Sequence, residues 1–344
     1  HRPFTRRLFM RTPRALRFDR LPAVVLLGAL LVSSWGCASQ KTAPAAPPQE
    51  AAPPERVHAR SPLTADEAIL RERLRTHVTE LAQTIGERNP QRPWELAAAA
   101  DYVALQFEEQ GFAVERMGYE VDGAAVQNLA VTLPGTHRGD EVVIVGAHYD
   151  SAPGSKGENG NATGVAALLE LARMFRGATN ARTLRLVAFA VCSPPYAGSE
   201  HMGSLRYAEE LRRGSQQVVG MISLDGIGVL TPDAPTGQGV AQVRLGATGG
   251  EGADRLREIL EQELDADPLA VQLIAVDAAA PTDHWAFAKV GIPAVWVTGL
   301  GAERAIDYDA MARLVMRVRF GLGEILGEVP TNDGMLTPDL GLGD

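Results

Sequence analysis

The chain is poor in cysteine: its 344 residues contain two, Cys37 and Cys192. That excludes a small fold stapled by disulfides, which needs several paired cysteines. Positive charge is also scarce beyond the first 36 residues. Arg2, Arg6, Arg7, Arg11, Arg14, Arg17 and Arg20, against the single acid Asp19, give that segment about +6, so of the formal −9 the remainder carries about −15. A body this acidic excludes nucleic-acid binding and electrostatic adhesion to anionic lipid, because both need clustered Lys and Arg. The apolar run at 23–32 is too short to cross a bilayer, and no internal repeat is present.

What is present is an ordinary globular composition, 45% apolar and 22% charged, with enough chain for one large α/β domain. The arginines and the short apolar run read together as a secretion signal over 1–36. Cys37, directly after a small residue, resembles the bacterial lipoprotein processing site, where the cysteine is lipidated and becomes the new N-terminus. Cys192 is then left without a partner and is expected as a free thiol. Residues 37–59 shift to Ala and Pro (TAPAAPPQEAAPPERV), which cannot bury a core and favours extended backbone, so they are read as a tether. The expected domain spans 60–328, followed by a loose, turn-rich tail at 329–344. The expected location is outside the cytoplasm, tethered to the envelope membrane by lipid. Ala38 does not resemble an inner-membrane retention signal and so points to the outer membrane.

Within the domain, amphipathic spacing predicts helices over 64–85 and 93–110. Runs with strand character follow at 126–134, 141–149, 183–191, 220–228, 241–247, 270–276 and 294–299. Several are continuously apolar, as strands buried on both faces are. Helix-patterned segments fall between them at 164–175, 205–213, 253–264 and 308–326. This alternation predicts a three-layer α/β sandwich, a mostly parallel central sheet with helices on both faces. In such sheets ligands bind at the carboxyl ends of the strands. The paired acids Glu108 and Glu109 read as solvated helix surface.

The strand EVVIVG runs into Ala147, His148, Tyr149, Asp150 and Ser151, then a glycine-rich loop, then Asn161, Ala162, Thr163 and Gly164 opening a helix. A His and an Asp at a strand's carboxyl end suit metal or acid–base work. The segment GAHYDSAPGSKGENGNATGVAALLELAR resembles, along its whole length, a block of the co-catalytic zinc exopeptidases that include bacterial leucyl aminopeptidases, glutamate carboxypeptidase and glutaminyl cyclase. GERN (86–89), QNLAVTLPG (127–135), LRLVAFAVCSPPYAGSEHMGSLRYA (184–208), MISLDGIG (221–228) and TDHWAFAKVGIPAVWVT (282–298) match in the same order. The resemblance covers nearly all of 65–325.

It implies a sheet carrying two zinc ions that share a water, with a glutamate as general base. By position, His148 corresponds to the first ligand, Asp150 to the carboxylate that orients a ligand, and Asp225 to a terminal ligand of the same metal. The other positions depart from the pattern. Gly160 stands where the resemblance places a bridging aspartate, just before Asn161. Cys192 and Ser193 stand where it places the general-base glutamate and a ligand glutamate. The loop after 294–299 that carries the last ligand histidine is absent, and no histidine follows His284.

One imidazole and one carboxylate fall short of the three protein ligands a zinc ion ordinarily needs. No cofactor is therefore expected to bind tightly, with zinc confined to low occupancy or a rebuilt site. His148 and Asp225 are expected as a vestigial pair, and Asp283 and His284 as supports of the pocket. Two sharper alternatives stand against these. His284 could serve as a third ligand in a rebuilt one-metal hydrolase, and Cys192 beside His148 could form a thiol nucleophile. The expected protein is a pseudopeptidase that binds a peptide or an envelope partner.

Overall fold

A computed structural model describes residues 61–228, 242–265, 270–273, 280–299 and 305–329. The expected signal segment, Cys37, the tether and nearly all of the expected tail lie outside the described residues.

Helix α1 (Ala65–Thr79) opens with a reciprocal cap: the Thr64 side chain accepts from the Glu67 amide, and the Glu67 carboxylate accepts from the Thr64 amide at 2.8 Å. A π-helical turn, Glu80–Ile85, continues it, so the single helix expected over 64–85 changes pitch partway. Helix α2 (Pro93–Glu109) starts on a proline, whose missing amide hydrogen costs nothing in a first turn. Both Glu108 and Glu109 are exposed.

Strands β1 (Glu115–Val121), β2 (Ala124–Leu133), β3 (Arg138–His148), β4 (Arg182–Phe189), β5 (Gln217–Asp225), β6 (Gln242–Thr248), β7 (Ala270–Leu273) and β8 (Ala294–Thr298) form one sheet in the order β1-β2-β4-β3-β5-β8-β6-β7. The central strands β4, β3, β5 and β8 are mutually parallel. Antiparallel pairings flank them, β1 and β2 at one side and β6 against β8 at the other. Between the strands run α3 (Thr163–Phe175), α4 (Gly203–Arg213), α5 (Glu251–Asp265) and α6 (Asp283–Lys289), and α7 (Tyr308–Leu326) follows β8.

The period-2 alternation of the strands divides the core. Val143, Val145 and Ala147 of β3 and Leu184, Leu186 and Ala188 of β4 pack with α1, α2, α3, α5 and α7. Their alternate residues, Val142, Ile144, Val187 and Phe189, pack instead with α4 and α6, where the Phe189 ring lies 5.7 Å from Tyr207 and 5.9 Å from Phe287. The three-layer architecture is thus the one expected from the sequence. Strand β1 and helix α6 were not: β1 (ERMGYEV) is mostly exposed, and α6 is seven residues long, too short to show a period.

Strand β3 lies between β4 and β5. The chain leaves it to form β4 on one side, through α3, then crosses to form β5 on the other, through α4 on the opposite face. The carboxyl end of β3 is therefore a topological switch point, where a crevice opens in such sheets.

A buried ion pair locks α1 to α3. Glu170, 1% exposed, takes Arg173 Nε at 2.8 Å and Nη2 at 2.6 Å, and its other oxygen lies 3.2 Å from His77 Nε2. Burial alone would raise the Glu170 carboxyl, but His77 and Arg173 hold it below the usual range. Its stabilisation is therefore present in full above the ordinary glutamate value and is lost as pH falls through the lowered one. Glu170→Ala is expected to cost roughly 1–3 kcal/mol in urea unfolding at neutral pH, because it removes the buried carboxylate that Arg173 and His77 share. The gap between variant and parent should narrow in acid.

Candidate active site

His148 ends β3, and its imidazole lies between two carboxylates. Nδ1 is 2.9 Å from Asp150 Oδ1, and Nε2 is 3.7 Å from Oδ1 of Asp225, the last residue of β5. Asp150 is fully buried and takes two further donors from the turn after β4. The Cys192 amide donates to Oδ1 at 2.8 Å and the Ser193 amide to Oδ2 at 2.9 Å.

Burial works against both charges here and is outweighed. It would lower His148, but the Asp150 carboxylate, the hydrogen bonds to Asp150 and Asp225, and the charge of Asp283 hold it well above the usual histidine range. Burial would raise Asp150, but His148 and the two amides pull it down. His148 is therefore an imidazolium with both N–H groups directed at carboxylates.

Asn161 sets the third wall. Its Nδ2 donates to the Leu224 carbonyl at 2.8 Å, and its Oδ1 accepts from Gly226 at 3.1 Å and from Gly164 at 3.0 Å. One amide side chain thus straddles Asp225 and fixes the start of α3. A Cβ at Gly164 would sit 2.3 Å from the Leu224 carbonyl oxygen, so this approach of helix to strand requires glycine. Gly160 is the opposite case: its φ of −120° and ψ of 80° need no glycine, and a Cβ there meets nothing within 4 Å.

Cys192 is 5% exposed, and burial, followed by the charges of Asp283, Asp150 and Asp225, pushes its thiol well above the usual value. It is a protonated thiol among carboxylates, and both His148 nitrogens are turned to carboxylates. The thiol-nucleophile alternative needs an activated thiolate and finds the reverse. His284 has its own contacts, and its buried Nε2 has no hydrogen-bond partner. Its Nδ1 pairs with the Thr282 hydroxyl, its ring stacks on Trp296 with centroids 5.1 Å apart, and burial lowers it to about 4, so it is neutral. Among the described residues, no group of three or more His, Cys, Asp and Glu side chains is arranged to hold a metal ion.

Sequence reasoning missed two residues that shape the rim. Asn159 Oδ1 accepts from the Gly228 amide at 2.9 Å, tying the glycine-rich loop to the turn after β5. Arg88 is wholly buried and donates to the carbonyls of Tyr149, Leu81, Gly86, Lys156 and Gly157. The signal for Arg88 was the GERN segment, which the resemblance matched without assigning it a role.

Residues 128–313 match the sequence profile of peptidase family M28. This chain belongs to that family. The M28 match is joined by a curated relative, protein YfbL of Escherichia coli, 34% identical over 165 residues, which are 46% of this chain and 50% of YfbL. The chain thus spans half the length of that relative. Among solved structures, BSAP, a zinc aminopeptidase from Bacillus subtilis, superposes with a TM-score of 0.61 at 13% identity, covering 77% of this chain and 96% of that one. Macrostomum lignano glutaminyl cyclase does so with a TM-score of 0.61 at 17% identity, covering 81% and 99%. At such identities the superpositions establish the aminopeptidase fold, as the sequence led us to expect.

Asp283 supplies a test of the site's electrostatics. Neither of its buried oxygens has a hydrogen bond of ordinary geometry to the protein, and burial pushes its carboxyl up to about 6. A raised carboxylate destabilises the fold once ionised, fully above the folded value and not at all below the unfolded one. Asp283→Asn is therefore expected to stabilise the chain by roughly 2–3 kcal/mol at pH 8. The gain should vanish toward pH 4 in thermal or urea unfolding followed across pH.

Proposed function

We propose that this M28 protein is an exported, lipid-anchored pseudopeptidase, in which the peptidase cleft persists as a binding site and hydrolysis has been lost. The observation that carries the reading is the chemistry of the turn after β4, where a buried thiol and a hydroxyl, Cys192 and Ser193, follow the strand and lend their amides to Asp150. The positions that the resemblance gives to the bridging aspartate, the general base and a ligand glutamate hold Gly160, Cys192 and Ser193. None of these side chains supplies the missing carboxylates. Losing the base and the bridging ligand together from a concerted site ordinarily removes several orders of magnitude of rate, leaving little beyond binding.

The cleft suits a peptide presenting its amino terminus, from a small ligand or from a partner protein at the envelope. Asp150, Asp225 and Asp283 converge on it, and Asp225 is reachable, with a side chain 17% exposed. An ammonium group placed there meets negative potential in a largely dehydrated setting, where such attraction is strong. The segments at 1–36 and at Cys37 support export and tethering.

The test is zinc content of the purified chain after loading and dialysis, with hydrolysis of amino-acid anilides followed on the same sample. We expect less than about a tenth of an equivalent of zinc and no turnover. One tightly held zinc per chain, with turnover abolished in His148→Ala, would sink the reading and favour a rebuilt one-metal hydrolase. A second arm uses Gly160→Asp, which the open space at that Cβ accommodates. Zinc retention should rise toward about one equivalent while turnover stays absent, since position 192 still lacks a base.

A further inference from the structure

The strands that end at the candidate site carry a second group of polar side chains beside Asp225. Asp225 of β5 lies opposite Thr298 of β8, and Thr298 lies opposite Arg244 of β6. One pleat deeper, Ser223 of β5 lies opposite Trp296 of β8, and Trp296 lies opposite Gly246 of β6, which adds no side chain. Residues opposite one another, and residues two apart along a strand, share a face of the sheet. The face in question is the one toward α6, because the His284 ring stacks on Trp296. Arg244, Trp296, Ser223 and His284 thus lie in one layer next to Asp225. Arg244 is two strand spacings, roughly 10 Å, from Asp225 across the sheet.

This layer holds polar atoms that the protein leaves unsatisfied. Arg244 Nε, Trp296 Nε1, His284 Nε2 and Ser223 Oγ are all buried, and none has a hydrogen-bond partner. Ser223 and His284 are themselves 0% exposed. The arginine and tryptophan nitrogens can only donate. His284 is neutral, and assigning the Thr282 hydroxyl as donor to Nδ1 places the one ring proton on Nε2, so this nitrogen donates too.

Donors cannot satisfy one another. Each one buried without an acceptor costs about 1–3 kcal/mol, which is why such groups are ordinarily paired. Asp283, the acid that adjoins His284 in the chain, is turned to Ser204 and the Cys192 thiol instead. A single serine hydroxyl would need no more than a water. Three N–H groups on three side chains, one of them a guanidinium, call for an anion with several lone pairs.

We propose that this layer is a carboxylate pocket, in which Arg244, Trp296 and His284 hold the C-terminal carboxylate of a short peptide whose ammonium group lies at Asp225. The ligand is then a di- or tripeptide with both termini free. The inference rests on the amino-terminal binding proposed above and adds the other end of the ligand. An extended residue covers about 3.5 Å, so two or three residues match the distance from Asp225 to Arg244, whereas the carboxylate of a longer chain falls past the pocket. Arginine suits a carboxylate because its planar fork matches two oxygens at once.

The test is isothermal titration calorimetry of the full chain with alanyl-alanine, with its C-terminal amide and with N-acetyl-alanyl-alanine, at fixed ionic strength. The free dipeptide is expected to bind saturably, and the amide at least about tenfold more weakly. Arg244→Gln should weaken the dipeptide by a similar factor and remove the difference between acid and amide. The comparison of acid with amide needs no variant, so it decides the matter even where Arg244→Gln fails to fold. Equal binding of acid and amide, with only the acetylated peptide weakened, would overturn the carboxylate pocket and leave the amino-terminal site standing. An acetylated peptide bound as tightly as the free one, with the amide still weak, would support the pocket and overturn the amino-terminal reading. No saturable heat with any of the three would overturn both.

Discussion

The carboxylate of Asp150 is the point on which the carboxyl end of the sheet depends. It is fully buried, and three donors reach it: one imidazole nitrogen and two backbone amides from the turn after β4. A buried carboxylate without such partners would be protonated or expelled. Satisfied as it is, it fixes the rotamer of His148 and the path of the chain through Cys192 and Ser193. His148 in turn faces Asp225, so three strand ends are drawn into one electrostatic unit. In the two-zinc enzymes that the sequence resembles, metal charge would be expected to balance these acids. In this chain two of them face His148, which they hold well above the usual histidine range.

A second constraint acts at the rim. The guanidinium of Arg88 is spent entirely on backbone carbonyls from the first helical hairpin, from the residue after β3 and from the glycine-rich loop. Burial lowers it only to about 10, so it is charged at neutral pH. Carbonyls in loops lack the ladder partners that strands provide, and a single five-donor group satisfies several of them at once. The cleft wall is consequently held by main-chain contacts that make no use of a metal. This is a physical reason why the course of the surrounding loops does not depend on which side chains face the cleft.

Much of this was legible in the sequence. Strands β3, β4, β5 and β8 announce themselves as apolar runs because they are buried on both faces, and α7 was bounded correctly by its period alone. The register of His148, Asp225, Cys192 and Ser193 followed from those strand ends. What escaped notice did so for identifiable reasons. Strand β1 pairs only at the margin of the sheet and carries charge, so it lacks the alternation of a half-buried strand. Arg88 reads as a surface charge, since nothing local tells that three of its five carbonyl partners lie more than sixty residues away.

Asn161 carries a broader lesson about family signatures. Its side chain joins α3 to both sides of Asp225 through main-chain groups alone, and Asp150 is likewise anchored by main-chain amides. These motif residues would be needed to fold the molecule whether or not it ever turned over a substrate. The positions that differ, 160, 192 and 193, are those whose family role is toward metal or water. A signature of this kind therefore mixes two records, one of architecture and one of chemistry, written in adjacent letters. The architectural letters keep a chain recognisable long after the chemical ones have changed, so inheritance of the pattern measures descent more faithfully than it measures work.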